Sequence, residues 1–213
     1  MALLVNNLFP GELSPNAVVG GCIEIFENVW PNWKETITAV EQQCSNSDSG
    51  VYWERAETVN LGPFQNHRTN QLIGVSHLAN VANNKVLQNV HNQMNLLLLA
   101  ATNSYGSRYG INEGFFHEGY NLLKYKNGQE YQSHYDGGTS IGRVISAVIY
   151  LNSDYDGGQI EFTNFNLKIK PEPGMLILFP SNFAYRHIAH PVTNGTKYAL
   201  VTWIKDRPVP DKI

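Results

Sequence analysis

The sequence predicts a mainly β protein with flanking helices: a jelly-roll core with N-terminal helices packed on one of its sheets. Three observations lead there. About eight short strand-like segments crowd into residues 115–207, separated by turn-forming Gly, Asn and Pro. Residues 1–114 carry long stretches of helical apolar spacing. No repeat, low-complexity tract or linker divides the 213 residues. A single domain over 1–213 is therefore expected, with 1–114 as a helix-rich support region and 115–207 as the jelly-roll core.

In chain order, Leu13-Ser14-Pro15 offers a capped helix start, and Val18, Cys22, Ile25, Phe26 and Val29 follow at helical spacing. Pro31 interrupts this run. Trp33, Ile37, Val40 and Cys44 carry a second helix, which ends at the turn cluster Ser45 to Gly50. Residues 51–58 alternate as a strand. A long helix is expected from about Asn84 to Thr102, apolar at Val86, Leu87, Val90, Met94, Leu97 and Leu98. Strands then follow at 118–126, 130–136, 143–152, 158–163, 166–170, 174–179, 185–191 and 196–205. Asn127-Gly128, Gly137-Gly138, Asp156-Gly157-Gly158, Pro171-Glu172-Pro173-Gly174 and Asn194-Gly195 punctuate them.

Composition narrows the function. Charged residues are 15%, hydrophobic ones 42% and aromatic ones 11%, which excludes a disordered chain. A net charge of −3 and a pI near 6.1 leave no general basic surface for nucleic acid. Two cysteines, Cys22 and Cys44, are too few for a disulfide framework and read as reduced, buried thiols. Residues 1–10 have neither a basic n-region nor a long apolar stretch, and Leu96–Ala101 is far short of a membrane span. A soluble cytoplasmic protein without a membrane partner is expected.

The strongest chemical signal is His134-Tyr135-Asp136. Residues two apart on a strand share a face, so an imidazole and a carboxylate project together. A third metal ligand must come from a distant segment, and both His187 and His190 in 185–192 are candidates. Two His and one carboxylate on one face leave open positions, as non-haem Fe(II) oxygenases require. Asn152-x-Asp154-x-Asp156-Gly157 has the opening of a calcium loop, but Thr163 replaces the closing Glu, and a hairpin turn is the better reading. His67, His77, His91 and His117 lack ligand spacing. Trp30, Trp33, Tyr52 and Trp53 read as core.

The run from Tyr125 to Asp136 closely resembles the first metal-binding segment of Fe(II)- and 2-oxoglutarate-dependent prolyl 4-hydroxylases. Phe179-Pro180-Ser181-Asn182, His187, Pro191-Val192, Gly195, Lys197 and Trp203 resemble the second. Arg143 to Leu151 followed by Gly157-Gly158 matches the strand and hairpin between them. The resemblance spans about residues 118–205 and is to the small stand-alone bacterial or viral members, so host cytoplasm is the expected place if the source is viral.

The resemblance implies a double-stranded β-helix, the jelly roll of this family, and selects His187 over His190. It further implies Fe(II) held by His134, Asp136 and His187, 2-oxoglutarate held by Lys197 and Tyr125, O2 as oxidant and ascorbate as reductant. Tyr131, Arg143 and Trp203 match family positions beside the substrate. The activity implied is hydroxylation of a prolyl residue in a peptide or protein, coupled to conversion of 2-oxoglutarate to succinate. Hydroxylation of a free amino acid, another residue or a nucleobase is the alternative within enzymology, and a non-catalytic jelly-roll binding module is the alternative outside it. Two departures bear on the peptide assignment: Lys205 stands where the collagen-type enzymes often carry His, and the 137–142 connection is short.

Overall fold

In the computed structural model, the described residues are 13–56, 67–81, 84–111, 116–138 and 142–205. The segment 1–10, positions 57 and 58 of the expected strand, and 139–141 of the short connection lie outside them.

The first departure from the sequence reading comes at once. β1 (Ala17–Val19) and β2 (Ile23–Phe26) form an antiparallel pair where helical spacing predicted a helix. Ile23 and Ile25 face one apolar layer, while Phe26 and the fully buried Glu24 face the other. A strand buried on both faces reads as an apolar run, and its period does not separate it from a helix.

α1 (Trp33–Ser45) forms as expected, and β3 (Glu54–Arg55) is what forms in the described part, 51–56, of the expected 51–58 strand. β4 (Gln71–Gly74) and α2 (Val75–Val81) have no counterpart in the sequence reading. α3 (Lys85–Tyr109) starts where expected, with the Asn84 side chain accepting from the Leu87 N–H at 3.1 Å, and runs beyond Thr102.

The second half is strand after strand, as read. β5 (Phe116–His117) precedes the expected 118–126 strand, of which β6 (Asn121–Tyr125) forms. β7 (Tyr131–His134) and β8 (Arg143–Tyr150) follow. β9 (Asp156–Gly157) falls where only a turn was expected. β10 (Ile160–Phe162), β11 (Leu167–Ile169), β12 (Met175–Pro180) and β13 (His187–Ala189) come next. β14 (Val192–Asn194) and β15 (Lys197–Lys205) close the series.

The strands build a jelly roll. A nine-stranded sheet runs β1-β2-β12-β8-β15-β6-β4-β3, with β5 also on β15, and faces a four-stranded sheet β11-β10-β13-β7. Residues 17–26 on one side, and β3 and β4 on the other, therefore supply both flanks of the large sheet, so the N-terminal region is not simply helical support. The helices do cover one sheet: Leu87, Met94, Leu97 and Ala101 of α3 share a buried cluster with Leu122, Ile149, Leu176 and Leu200. The inter-sheet layer holds Tyr150, Ile160, Phe162, Ile177 and Phe179. Among the described residues no helix is long and apolar enough to cross a membrane.

Smaller expectations divide. Trp30 is fully buried, its indole N–H donating to Thr36 Oγ1 at 3.0 Å, but Tyr52 is 62% exposed and is not core. Cys22 and Cys44 are free and half-buried rather than buried. In the turn of the calcium-like motif the Asn152 amide donates to Asp154 Oδ1 and the Thr196 carbonyl, which ties the hairpin together.

Gly157 has a mechanical role beside the site. At φ +71 a Cβ there would lie 2.2 Å from the Pro191 carbonyl oxygen, across the β9–β14 pairing. Gly157→Ala is expected to cost at least about 1–3 kcal/mol, measured as a lower urea midpoint.

Candidate active site

The antiparallel pairing of β13 with β7 sets His187 directly opposite His134. Cross-strand partners have Cβ atoms only about 5 Å apart, so two imidazoles from distant segments meet without any loop to aim them. Asp136 follows just beyond β7. One ligand atom from each of the three residues lies within 4.8 Å of the others, and all three are buried. The imidazole Nε2 atoms are 3.5 Å (His134) and 3.8 Å (His187) from the Asp136 carboxylate oxygens. Each Nδ1 faces a backbone carbonyl, Gln132 at 2.7 Å and Tyr185 at 3.0 Å. A carbonyl only accepts, so Nδ1 carries the proton and the Nε2 lone pair is free for a cation.

The carboxylate is anchored from behind. Ser146 Oγ donates to Asp136 Oδ2 at 2.7 Å and meets Ser181 Oγ at 2.8 Å. The Gly137 N–H bonds the Ser181 carbonyl at 2.7 Å, and a Cβ on Gly137 would lie 2.8 Å from that same oxygen. Burial by itself would raise the Asp136 pKa. The facing His187, with His134 and the Ser146 hydroxyl, outweighs burial and holds the carboxyl far below the usual range. Burial, with like charge on His134, pushes His187 down to about 4.

At another part of the same cavity stands Lys197, 2% exposed. Its Nζ donates to the Gly158 carbonyl at 2.6 Å and lies 5.2 and 5.0 Å from the Tyr125 and Tyr150 ring centroids. Tyr125 is its cross-strand partner. Among the described residues no carboxylate pairs with it, and burial, then repulsion from Lys170, pushes its pKa down to about 7. The cavity holds roughly 520 Å³ not filled by protein atoms, open solvent at its mouth included. The period of two along β15 presents Lys197, Ala199, Val201 and Trp203 to it.

The other expected residues divide. Tyr131 lines the cavity and stacks on His134, rings 3.5 Å apart at 15°; Trp203 lines the cavity too. Arg143 is not among the lining residues. It grips Glu118 with two N–H groups (3.0 and 2.6 Å), donates to the Asp136 carbonyl at 3.2 Å and lies 3.8 Å over Trp203. Lys205 also reaches Glu118, at 3.0 Å. His190 bonds Glu161 at 2.6 Å and takes no part in the donor set.

Sequence reasoning missed Ser146, Ser181, Glu118 and Arg68. Ser146 was legible as the one serine inside an apolar strand. Arg68 gave no signal: it lines the cavity from a segment far outside the motif-bearing region. His67, read as an ordinary histidine, lies 6.4 Å from His134, ring to ring.

Residues 120–205 match the family model of the 2OG-Fe(II) oxygenase superfamily. That match takes in Tyr125, His134, Asp136, His187 and Lys197. The chain is 33% identical over 119 residues to "Probable prolyl 4-hydroxylase 9" of Arabidopsis thaliana, covering 42% of this chain and 41% of that protein. Over 121 residues it is 31% identical to prolyl 4-hydroxylase 13 of the same plant, covering 43% of this chain and 44% of the relative. The chain thus spans less than half the length of these curated relatives. Among solved structures, the fold is shared with a Trichoplax adhaerens prolyl hydroxylase in complex with a hypoxia inducible factor peptide fragment. The TM-score is 0.70 at 20% identity, with 97% of this chain and 93% of that one covered.

The residues of this site fit an iron ion and 2-oxoglutarate. Two imidazole nitrogens and one carboxylate on one side are the donor set of non-haem Fe(II). A buried lysine without an acidic partner suits the distal carboxylate of 2-oxoglutarate, with the Tyr125 hydroxyl as a second donor.

Two outcomes follow. Ser146→Ala, by freeing the Asp136 carboxylate, is expected to weaken Fe(II) affinity about tenfold or more. Anaerobic titration measures this; His187→Ala should abolish binding in the same assay, and His190→Ala should leave it intact. The second outcome concerns pH. Lys197 is cationic below about 7 and neutral above it in the ligand-free protein, so cosubstrate binding above that pH must take up a proton. The 2-oxoglutarate Kd should rise about tenfold per unit at higher pH, as read by calorimetry. The same shift makes the ligand-free protein more stable as pH rises from about 7, because the unfolded chain keeps that proton longer.

Proposed function

We propose that this protein is an Fe(II)- and 2-oxoglutarate-dependent dioxygenase that hydroxylates a prolyl residue in a peptide or protein, most simply at C4. One observation carries the reading: a single cavity joins the His134/Asp136/His187 donor set to the buried, acid-free Lys197. Iron and cosubstrate, when bound, supply oxygen activation coupled to decarboxylation of 2-oxoglutarate to succinate.

The chain's own groups do the rest. The Gln132 and Tyr185 carbonyls hold both imidazoles in the tautomer that offers Nε2. Ser146 and Ser181 fix the carboxylate. Lys197 and Tyr125 orient the cosubstrate by its far end, which sets the register of its reacting end at the metal. Tyr131, Val148, Ile160, Val201 and Trp203 give that space apolar and aromatic walls, which keep water from the reacting centre. Glu118 and Lys205 brace Arg143 against Trp203, so the indole stands as a firm wall for an apolar pyrrolidine ring. The names of the plant relatives and the peptide bound to the Trichoplax neighbour support a peptide substrate.

The test is succinate release with Fe(II), 2-oxoglutarate and ascorbate. Turnover should rise when a proline-containing peptide is added, with a +16 Da product (one oxygen atom) by mass spectrometry. It should fall to background in Asp136→Ala. Peptides of several proline contexts that all leave turnover unchanged, while a small molecule raises it, would refute the prolyl substrate and keep the dioxygenase.

A further inference from the structure

Arg68 reaches the cavity from the edge of the small sheet. Its backbone runs beside β7: the Gln132 N–H donates to the His67 carbonyl at 2.9 Å, the Thr69 N–H donates to the Glu130 carbonyl at 3.1 Å, and Arg68 bridges Tyr131. This seats the guanidinium 4.9 Å over the Tyr131 ring, which itself stacks on His134. The residue is 8% exposed. Its Nε donates to the neutral Asn70 Oδ1 at 2.9 Å, and among the described residues no carboxylate pairs with it and no acceptor meets its two terminal amino groups.

The contrast with other cations is sharp. Arg108 has Glu24, Arg143 has Glu118 and Lys124 has Glu41, each within 2.7 Å. Arg68 is more buried than any arginine in that set. A desolvated guanidinium without an anion is costly, and its planar fork matches a carboxylate. The loaded site offers it none. A ferrous ion, the Asp136 carboxylate, the cosubstrate dianion and the Lys197 cation cancel in charge among themselves, which leaves Arg68 as the uncompensated positive charge of the cavity.

We infer that Arg68 reads a carboxylate on the substrate, so that the residue hydroxylated is one flanked by a negative charge: a chain-terminal carboxylate on that residue, or the acidic side chain next to it. This rests on the prolyl hydroxylase reading and names its substrate class. Arg68 then serves as a specificity residue, and Asn70 and Tyr131 orient its fork.

The experiment is calorimetric binding to the Fe(II)- and 2-oxoglutarate-loaded protein under anaerobic conditions, where no turnover occurs. N-acetylproline is compared with the neutral N-acetylprolinamide, and acetyl-prolyl-aspartyl amide with its asparaginyl twin. The acidic member of at least one pair should bind about tenfold tighter or more, a charge-assisted pair being roughly twice as strong as a neutral one. The pair that shows it identifies the source of the carboxylate. Arg68→Gln should bring both members within about twofold, and Arg68→Lys should restore part of the preference. In each variant the 2-oxoglutarate Kd should stay within about twofold of the wild-type value. Equal binding of both pairs by the wild type, or a preference that survives Arg68→Gln, overturns the inference and leaves the prolyl reading standing. A tenfold loss of 2-oxoglutarate affinity in Arg68→Gln also overturns it, because Arg68 would then serve the cosubstrate. If no proline compound binds while 2-oxoglutarate does, the prolyl reading falls first and takes the inference with it.

Discussion

The register that sets His187 opposite His134 is the constraint on which the rest of the structure depends. A one-residue slip of either strand would turn its imidazole to the other face of the sheet. The register is held by what flanks it: β10 pairs with the far edge of β13, and the 67–69 backbone closes the free edge of β7. Asp136 could not lie buried between these rings without neighbours that favour its charge. The Ser146 and Ser181 hydroxyls come from β8 and the residue after β12, so the large sheet supplies what the small sheet's carboxylate needs. Each sheet is incomplete without the other.

β15 extends the same logic. One face of the strand carries Lys197, Ala199, Val201 and Trp203 into the cavity, while Leu200 and Ile204 on the other face join the core under α3. The two periods are one strand's alternation, so Lys197 is positioned by the same packing that holds the helices. Glu41 of α1 ties that packing together, accepting from Lys124 Nζ at 2.6 Å and from the Tyr198 hydroxyl at 2.7 Å. Burial of Lys197 is tolerable because its ammonium keeps a carbonyl partner and two aromatic rings close by.

The N-terminal half matters to the site more than its motif-poor sequence suggests. β1 and β2 extend the large sheet on the β12 side, and β4 extends it beyond β6. The 67–70 segment delivers a buried arginine to the cavity. A domain defined by its strand-rich half alone would lack both the closed edge of β7 and the guanidinium above Tyr131.

The sequence by itself determined the local chemistry. Strand periodicity anticipated that His134 and Asp136 share a site, although β7 ends at His134 and a bend carries Asp136 there, and turn residues marked nearly every strand of the second half. It left His187 and His190 equal until a family resemblance ranked them. It also misread 17–26 as helix, because a strand buried on both faces has no alternation to betray it. Only the tertiary structure decided which faraway groups meet. Ser146 and Ser181 behind Asp136, Glu118 and Lys205 behind Arg143, and Arg68 beside Tyr131 are contacts between separate elements, 10 residues apart in the chain for Ser146 and Asp136 and further for the others. Periodicity fixes the face a side chain occupies. The partner it finds there is fixed by strand order, which no single segment encodes.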